Sequence, residues 1–368
     1  MSFVLGAVCL FLARREGPRT TSRSLLLALL MAAIAVIISS YQSSHFMESL
    51  LVGLRLLYVF SIWQWSLRRV LVDTSRVEQI IRAFLLGAAM SSLAAIMQIA
   101  FHFDIPGSLV IFGRASGLQG HPNGQGGVLA VALPMALALT FRKNGRASAL
   151  LYLTLSVVGL ILSGSVTGML GAAVGAVVVV LAGRKKILKI VVLVAAGLCV
   201  TLLVQNLDRL FPGAASPLKR LADTTGNGVG DSTLTARLLT DQFAWQRINE
   251  HPFGSVGLAA ADGVTYDGQT LTHNLLLLSW YQGGPLLVAA VVLASAAALL
   301  AAVRYLRMGQ WHIGTVLTAG VLAALVFAMT GPVLYDRWFW FPLLVSIAAH
   351  RQASTTNRDE NRPGFLSE

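Results

Sequence analysis

Charge is scarce in this chain. Asp, Glu, Lys and Arg make up only 12% of its 368 residues, about half the share of a soluble domain. So little polar sequence does not clothe a water-soluble fold of this length, which excludes a soluble enzyme. Cysteine is scarcer still. Cys9 and Cys199 both fall in apolar stretches, so neither a disulfide framework nor a thiol-ligated zinc site is within reach. No polar connection holds an Asp-x-Asp pair or a His/Asp/Glu set at metal-ligand spacing. A Walker-type phosphate loop is missing, so cytosolic nucleotide is not the energy source. The chain also lacks internal repeats and low-complexity runs.

Apolar sequence is what the chain has in excess: 55% of residues are hydrophobic, and the mean hydropathy is +0.70. A helix needs about 20 such residues to cross the hydrocarbon core. Segments of suitable character run over 1–13, 24–41, 46–66, 80–101, 124–141, 147–163, 166–182, 187–205, 274–303, 313–333 and 336–350. They predict an all-α polytopic integral membrane protein of about 11 transmembrane helices. Residues 1–13 lack a basic leader and a small-residue cleavage site, and so read as a short first span, or the remnant of a longer one, rather than a signal peptide. Segment 274–303 exceeds one span, and Gly283, Gly284 and Pro285 predict a break within it.

Twenty of the 28 basic residues fall in alternate connections: Arg14 to Arg23, Arg68 to Arg82, Arg142 to Arg146, Arg184 to Lys189, Arg304 with Arg307, and the tail after His350. The positive-inside rule makes that side the cytoplasm. The amino terminus is then expected outside and the carboxyl terminus inside. The net charge of +12 is therefore a topology signal, and no nucleic-acid partner is expected. Of the other eight basic residues, Arg55 lies midway along a span. Arg114, Arg209, Lys219, Arg220, Arg237, Arg247 and Arg337 face outward, which calls for compensating acids or an anionic ligand. The organisation predicted is about eight spans in 1–205, an extracytoplasmic loop at 206–272, about three spans in 273–350, and a disordered polar tail at 351–368. A loop of that length is commonly functional.

Three outer stretches carry chemistry. The glycine-rich FGRASGLQGHPNGQGG at 112–127 holds Arg114, His121 and Asn123; its glycines admit close approach of backbone to a ligand, and arginine offers forked donors to phosphate. Arg237 sits on a helix predicted after Asp231 or Ser232, with Leu234, Leu238, Trp245 and Ile248 on one face and His251-Pro252 at its end. That pattern suits a helix lying in the outer interface, with Arg237 at the depth of a lipid phosphate. A pair with Asp241 one turn away is the plainer role for this arginine. His273, with Asn274, stands at the outer mouth of an apolar segment and titrates near neutrality, as a proton acceptor must. Arg55 costs about 2.5–3.5 kcal/mol at a helix centre, so it is expected to face the protein interior or water. Trp338 and Trp340, beside Tyr335-Asp336-Arg337, are expected to anchor the last turn at the interface.

In order and content these blocks resemble the O-antigen ligase and O-antigen polymerase-like family of bacterial polytopic membrane glycosyltransferases. GRASGLQGHPNGQGG looks like the family's Arg-Gly-x-Asn-Pro-Asn block, HPFGSVG at 251–257 like its His-Pro-x-Gly-x-Gly signature, and His273-Asn274 with Gly284 like its His-Asn block. The likeness by motif runs over roughly 110–290. It departs at 163–168, where SGSVTG lacks the family's arginine, and at Leu287, where the family has glycine.

The resemblance implies a GT-C-like fold in the bacterial inner membrane. It also implies transfer of a glycan from an undecaprenyl (polyprenyl) diphosphate carrier to an acceptor sugar on the outer face, with no metal and no cofactor. His273 and Arg237 would be the catalytic pair, with Arg114, Asn123, His121, Asn274 and Arg55 binding the diphosphate or glycan. The competing reading is a lipid-linked oligosaccharide flippase or other transporter. It predicts repeated halves and charge lining the midplane, and the sequence has neither apart from Arg55. A structural scaffold leaves the outer arginines and His273 without a purpose.

Overall fold

The computed structural model describes residues 22–142, 145–182, 186–217, 233–268 and 270–360. The expected first span at 1–13, the turn at 224–232 with its Asp231 or Ser232 cap, and Lys219 and Arg220 lie outside these residues. Among the described residues there are helices and isolated bridges but no strand, as lipid requires of a single-chain bundle.

Besides a single turn at Leu207–Leu210, the helices are α1 (Arg23–Gln42), α2 (Phe46–Val70), α3 (Thr74–Ala100), α4 (Pro122–Thr140), α5 (Arg146–Ser163), α6 (Val166–Leu181), α7 (Lys186–Gln205), α8 (Thr233–Glu250), α9 (Leu275–Arg307), α10 (Trp311–Ala328) and α11 (Arg337–Glu360). Seven of those described are long and apolar enough to cross a membrane, and α6 is a shorter apolar helix. Their alternating directions gather Arg68, Arg69, Arg142, Arg146, Arg304, Arg307 and Arg351 at one end of the bundle. The connections before α4 and α9 lie at the other.

Helix α4 is the axis of the bundle, with 83% of its span buried inside the protein. It packs on α5, α6 and α10. Small residues make that possible, because hydrocarbon gives no drive for helices to associate and close backbone packing must supply it. Along α6, Gly168 abuts the Gly126 carbonyl, Gly171 the Ala323 carbonyl, and Gly175 the ring of Pro134 and the Ala319 carbonyl. A side chain at any of them would force the helices apart.

The expected break in the ninth helix is present. At Gly284 the backbone leaves helical geometry, with φ 72° and ψ −176°, a region open only to glycine. Pro285 follows. Leu287, where the resemblance led to a glycine, is fully buried and lies against Gly283.

Two expectations are corrected. Trp338 and Trp340 are 8% and 1% exposed; they pack inside the bundle and anchor nothing at the interface. Trp340 meets Phe60 and Phe339, and Trp338 meets Phe327 and Gly127. The interior takes them because the glycine at 127 leaves room for an indole, and the Trp340 N–H finds the Leu334 carbonyl at 2.9 Å. The tail was expected to be disordered from 351, yet α11 continues to Glu360. Extending a helix already nucleated in the bundle carries no fresh nucleation penalty.

Candidate functional site

The glycine-rich block is laid on a polar shelf. Ser91 Oγ accepts the Leu118 N–H and Gln98 Oε1 accepts the Gly117 N–H, each at 2.9 Å, while Gln98 Nε2 donates to Ser108 Oγ. The Ala115 N–H bonds the Leu162 carbonyl at the end of α5. Ser91 and Gln98 are buried on α3. They stand seven residues apart on one face of an apolar span, a pattern visible in the sequence but not used in reading it.

Arg114 is nearly buried. Its Nε donates to the Ser163 carbonyl at 2.9 Å and its Nη2 to Asn123 Oδ1 at 2.6 Å. It thereby reaches the turn 163–168 that has no arginine of its own. His121 caps α4: its Nδ1 accepts the Asn123 N–H at 3.1 Å. Partial burial and the nearby Arg114 hold the His121 ring below its usual range.

Helix α8 docks on α9 through Thr240, Ala244 and Ile248, which are buried, with Arg237, Asp241 and Phe243 half-buried. Leu238 and Trp245, which the sequence grouped with Ile248, are 54% and 51% exposed. The apolar pattern is thus two adjoining stripes, one on α9 and one left open to the bilayer surface. Trp245 stands edge-on to Trp280 at 6.2 Å, and Phe243 edge-on to Tyr281 at 6.4 Å.

His273 lies where these parts meet. Burial pushes its ring down to about 4, with the positive charge of Arg237 and the His121 ring adding to the effect. A hydrogen bond with the Leu271 backbone opposes them only in part. The ring is neutral at physiological pH, and its Nδ1 is buried without a hydrogen-bond partner among the described residues. Burial holds the Asp241 carboxyl above the usual range, although it accepts the His273 backbone N–H and feels the Arg237 charge. The charge of Arg237 therefore acts on both Asp241 and His273.

Asn274 caps α9, its Oδ1 accepting the N–H groups of Leu276 and Leu277 at 3.0 and 3.1 Å and its Nδ2 donating to the Met329 carbonyl. Its side chain is committed to holding the α9 entry against the α10–α11 turn. Arg55 is exposed on α2 beside the half-exposed Leu51 and Leu54, so of the two placements expected for it, interior or water, the interior one is not met. Glu48, on the same helix, instead accepts the Ala260 N–H.

Two features escaped the sequence reading. Asp336 is held in the α10–α11 turn, and burial pushes its carboxyl up to about 6 against a hydrogen bond from Trp338. The loop 251–263 is stapled between helices: Ser255 binds Gln42, Leu258 binds Ser49, and the Asp262 carboxylate takes Ser43, Ser44 and His45. On its other side, Val256 and Gly257 donate to the carbonyls of Tyr281 and Gln282 just before the Gly284 break. Among the described residues no three His, Cys, Asp or Glu side chains gather as a metal cage.

Fold and site define an all-α multi-pass membrane protein with a basic, imidazole-containing cluster at one end of its bundle. Residues 151–292, from α5 to the first half of α9 and with them Arg237 and His273, match the family model described as O-antigen ligase. The match and the apolar helices together support a membrane glycan-transferring enzyme. No curated protein matches the chain.

Proposed function

We propose that the protein transfers a glycan from a polyprenyl diphosphate carrier to an acceptor sugar at the outer face of the membrane, as an O-antigen ligase or a surface-polysaccharide polymerase. The observation that carries this reading is the convergence of Arg237 and His121 on the neutral ring of His273, with Arg114 beside His121. Arginines supply the positive charge that a diphosphate needs, in forked donor geometry. A neutral imidazole beside them supplies the proton acceptor.

In the reaction, the acceptor hydroxyl oxygen bonds to the anomeric carbon of the donor as the bond from that carbon to the diphosphate breaks. His273 takes the hydroxyl proton, and the diphosphate leaves with the bonding electron pair. Arg237 and Arg114 stabilise its growing charge, an effect worth about 10²–10³ in rate for one such contact. A single displacement of this kind inverts the anomeric centre. The positive-inside distribution of charge supports an outer-face site, because the arginine-rich end of the bundle is opposite.

The test uses protein in nanodiscs with a polyprenyl-diphosphate oligosaccharide, alone and then with acceptor glycolipids, read by mass spectrometry. Either a product ladder from donor alone (a polymerase) or a single transfer requiring acceptor (a ligase) is the expected result. His273→Ala and Arg237→Ala are expected to insert normally and to lose at least about a hundredfold in rate. An inserted His273→Ala protein that still transfers at the wild-type rate removes the base assignment.

A further inference from the structure

Histidine is an unusual helix cap. Serine, threonine, aspartate and asparagine satisfy an N-terminal N–H with a short side chain and are the preferred residues. At the entry of α4 the chain nevertheless uses His121, whose Nδ1 accepts the Asn123 N–H at 3.1 Å. A backbone N–H only donates, so Nδ1 must keep its lone pair. In the neutral ring the single proton is then on Nε2. His121 is exposed despite its partial enclosure, which leaves this N–H open to a ligand. Its surroundings are cationic: Arg114 acts on the His121 ring, and His121 and Arg237 act on His273.

We propose that His121 is a tautomer-locked hydrogen-bond donor, its Nδ1 fixed by the α4 cap and its Nε2–H presented to an oxyanion of the bound lipid diphosphate. The assignment rests on the function proposed above and divides the labour between the two imidazoles of the site. His121 cannot accept the acceptor-sugar proton, because one nitrogen is consumed by the cap and the other already carries hydrogen. His273 is left as the base. The lock also gives the ligand a donor without a third fixed charge beside Arg114 and Arg237, where a further cation would repel both.

Two substitutions separate capping from donation. Asparagine places an oxygen where Nδ1 stands but does not reach the position of Nε2. Glutamine places an N–H near Nε2 and leaves the cap unmade. Binding of undecaprenyl diphosphate, with undecaprenyl monophosphate as comparison, would be measured in detergent together with thermal melting. His121→Asn is expected to melt with the wild type yet bind the diphosphate about tenfold more weakly, the loss of one hydrogen bond to a charged group. His121→Gln is expected to melt at lower temperature and to bind more tightly than His121→Asn.

The two orderings therefore cross. If affinity simply follows melting temperature across the series, His121 is a cap alone and the proposal is overturned. Equal affinity of His121→Asn and wild type overturns it as well. A wild-type protein that binds neither lipid overturns the proposed function, and this assignment with it.

Discussion

The backbone N–H of His273 is hydrogen-bonded to the carboxylate of Asp241, a residue of the helix that also carries Arg237. One bond thus fixes the arginine-bearing helix to the turn that holds the proton acceptor, 32 positions along the chain. Arg237 and Asp241 are one helical turn apart, and the charge of the arginine also acts on the carboxyl. Asp241→Ala removes both effects. It should lower the transfer rate about tenfold while His273 and Arg237 remain in place, and cost about 1–2 kcal/mol of stability. Asp241→Asn keeps an oxygen for the His273 N–H, so a rate between those of wild type and Asp241→Ala is expected. Melting curves and initial rates in nanodiscs check both.

On the proposed base assignment, the depressed His273 value sets the acid limb of transfer. Its ring stays neutral down to about 4, so its protonation should not limit the rate between pH 5 and 8 but should abolish transfer as pH falls through about 4. Stability follows the same group with a defined sign. Between the ordinary histidine value near 6.5 and about 4, the unfolded chain binds a proton that the folded chain refuses. Folding is therefore weakened progressively as pH falls through that window, by up to about 3 kcal/mol. His273→Gln should flatten this part of the melting-temperature profile.

Asp336 works in the opposite direction. Burial raises its carboxyl to about 6 from 3.8, so between those values the folded state binds the extra proton and stability falls as pH rises. Above about 6 the penalty is complete, at most about 3 kcal/mol. Asp336→Asn keeps an oxygen for the Trp338 N–H and removes the charge. It is expected to raise the melting temperature at pH 7.5 and to leave it unchanged near pH 4. A gain of equal size at both values would show that the buried charge is not its source.

Much of this architecture is readable from the sequence, because spans and positive-inside charge follow from local composition. All ten apolar segments from 24 onward correspond to helices α1–α7 and α9–α11, and the glycine break falls at Gly284. Long-range packing is less legible. Trp338 looks like an interfacial anchor until Gly127, more than 200 positions earlier, is seen to receive it. Leu238 and Ile248 look like one stripe, but they stand roughly 80° apart around the helix, and only Ile248 packs on α9. Asn274 reads as a site residue because it adjoins His273, while its hydrogen bonds are those of a cap. Arg114, likewise placed by a loop motif, is oriented by a carbonyl at Ser163 that no local pattern points to.

The capping role of Asn274 is separable from any contact with glycan. Its Oδ1 serves two N–H groups of α9, a task that a serine side chain could perform in part and an alanine could not. Asn274→Ala should cost about 1 kcal/mol, whereas Asn274→Ser should stay within about 0.5 kcal/mol of wild type. Transfer should follow the same order, with Asn274→Ser nearly normal. A serine variant that is stable but inactive would instead make Asn274 a ligand contact.

The pairing of Gly127 with Trp338 offers the sharpest test of the packing that frames the site. A Cβ at Gly127 would run into the Trp338 ring, and each residue lies within a few positions of the site's polar groups: Asn123 on α4 and Asp336 before α11. Gly127→Ala overpacks a buried contact and should destabilise by about 1–3 kcal/mol. Trp338→Phe should cost a comparable amount by leaving a cavity. Because each change supplies what the other lacks, the double variant should be more stable than the sum of the two costs implies, with a coupling of about 1 kcal/mol or more. Strict additivity would mean that the two helices adjust independently, and that the indole does not set the spacing of α4 and α11.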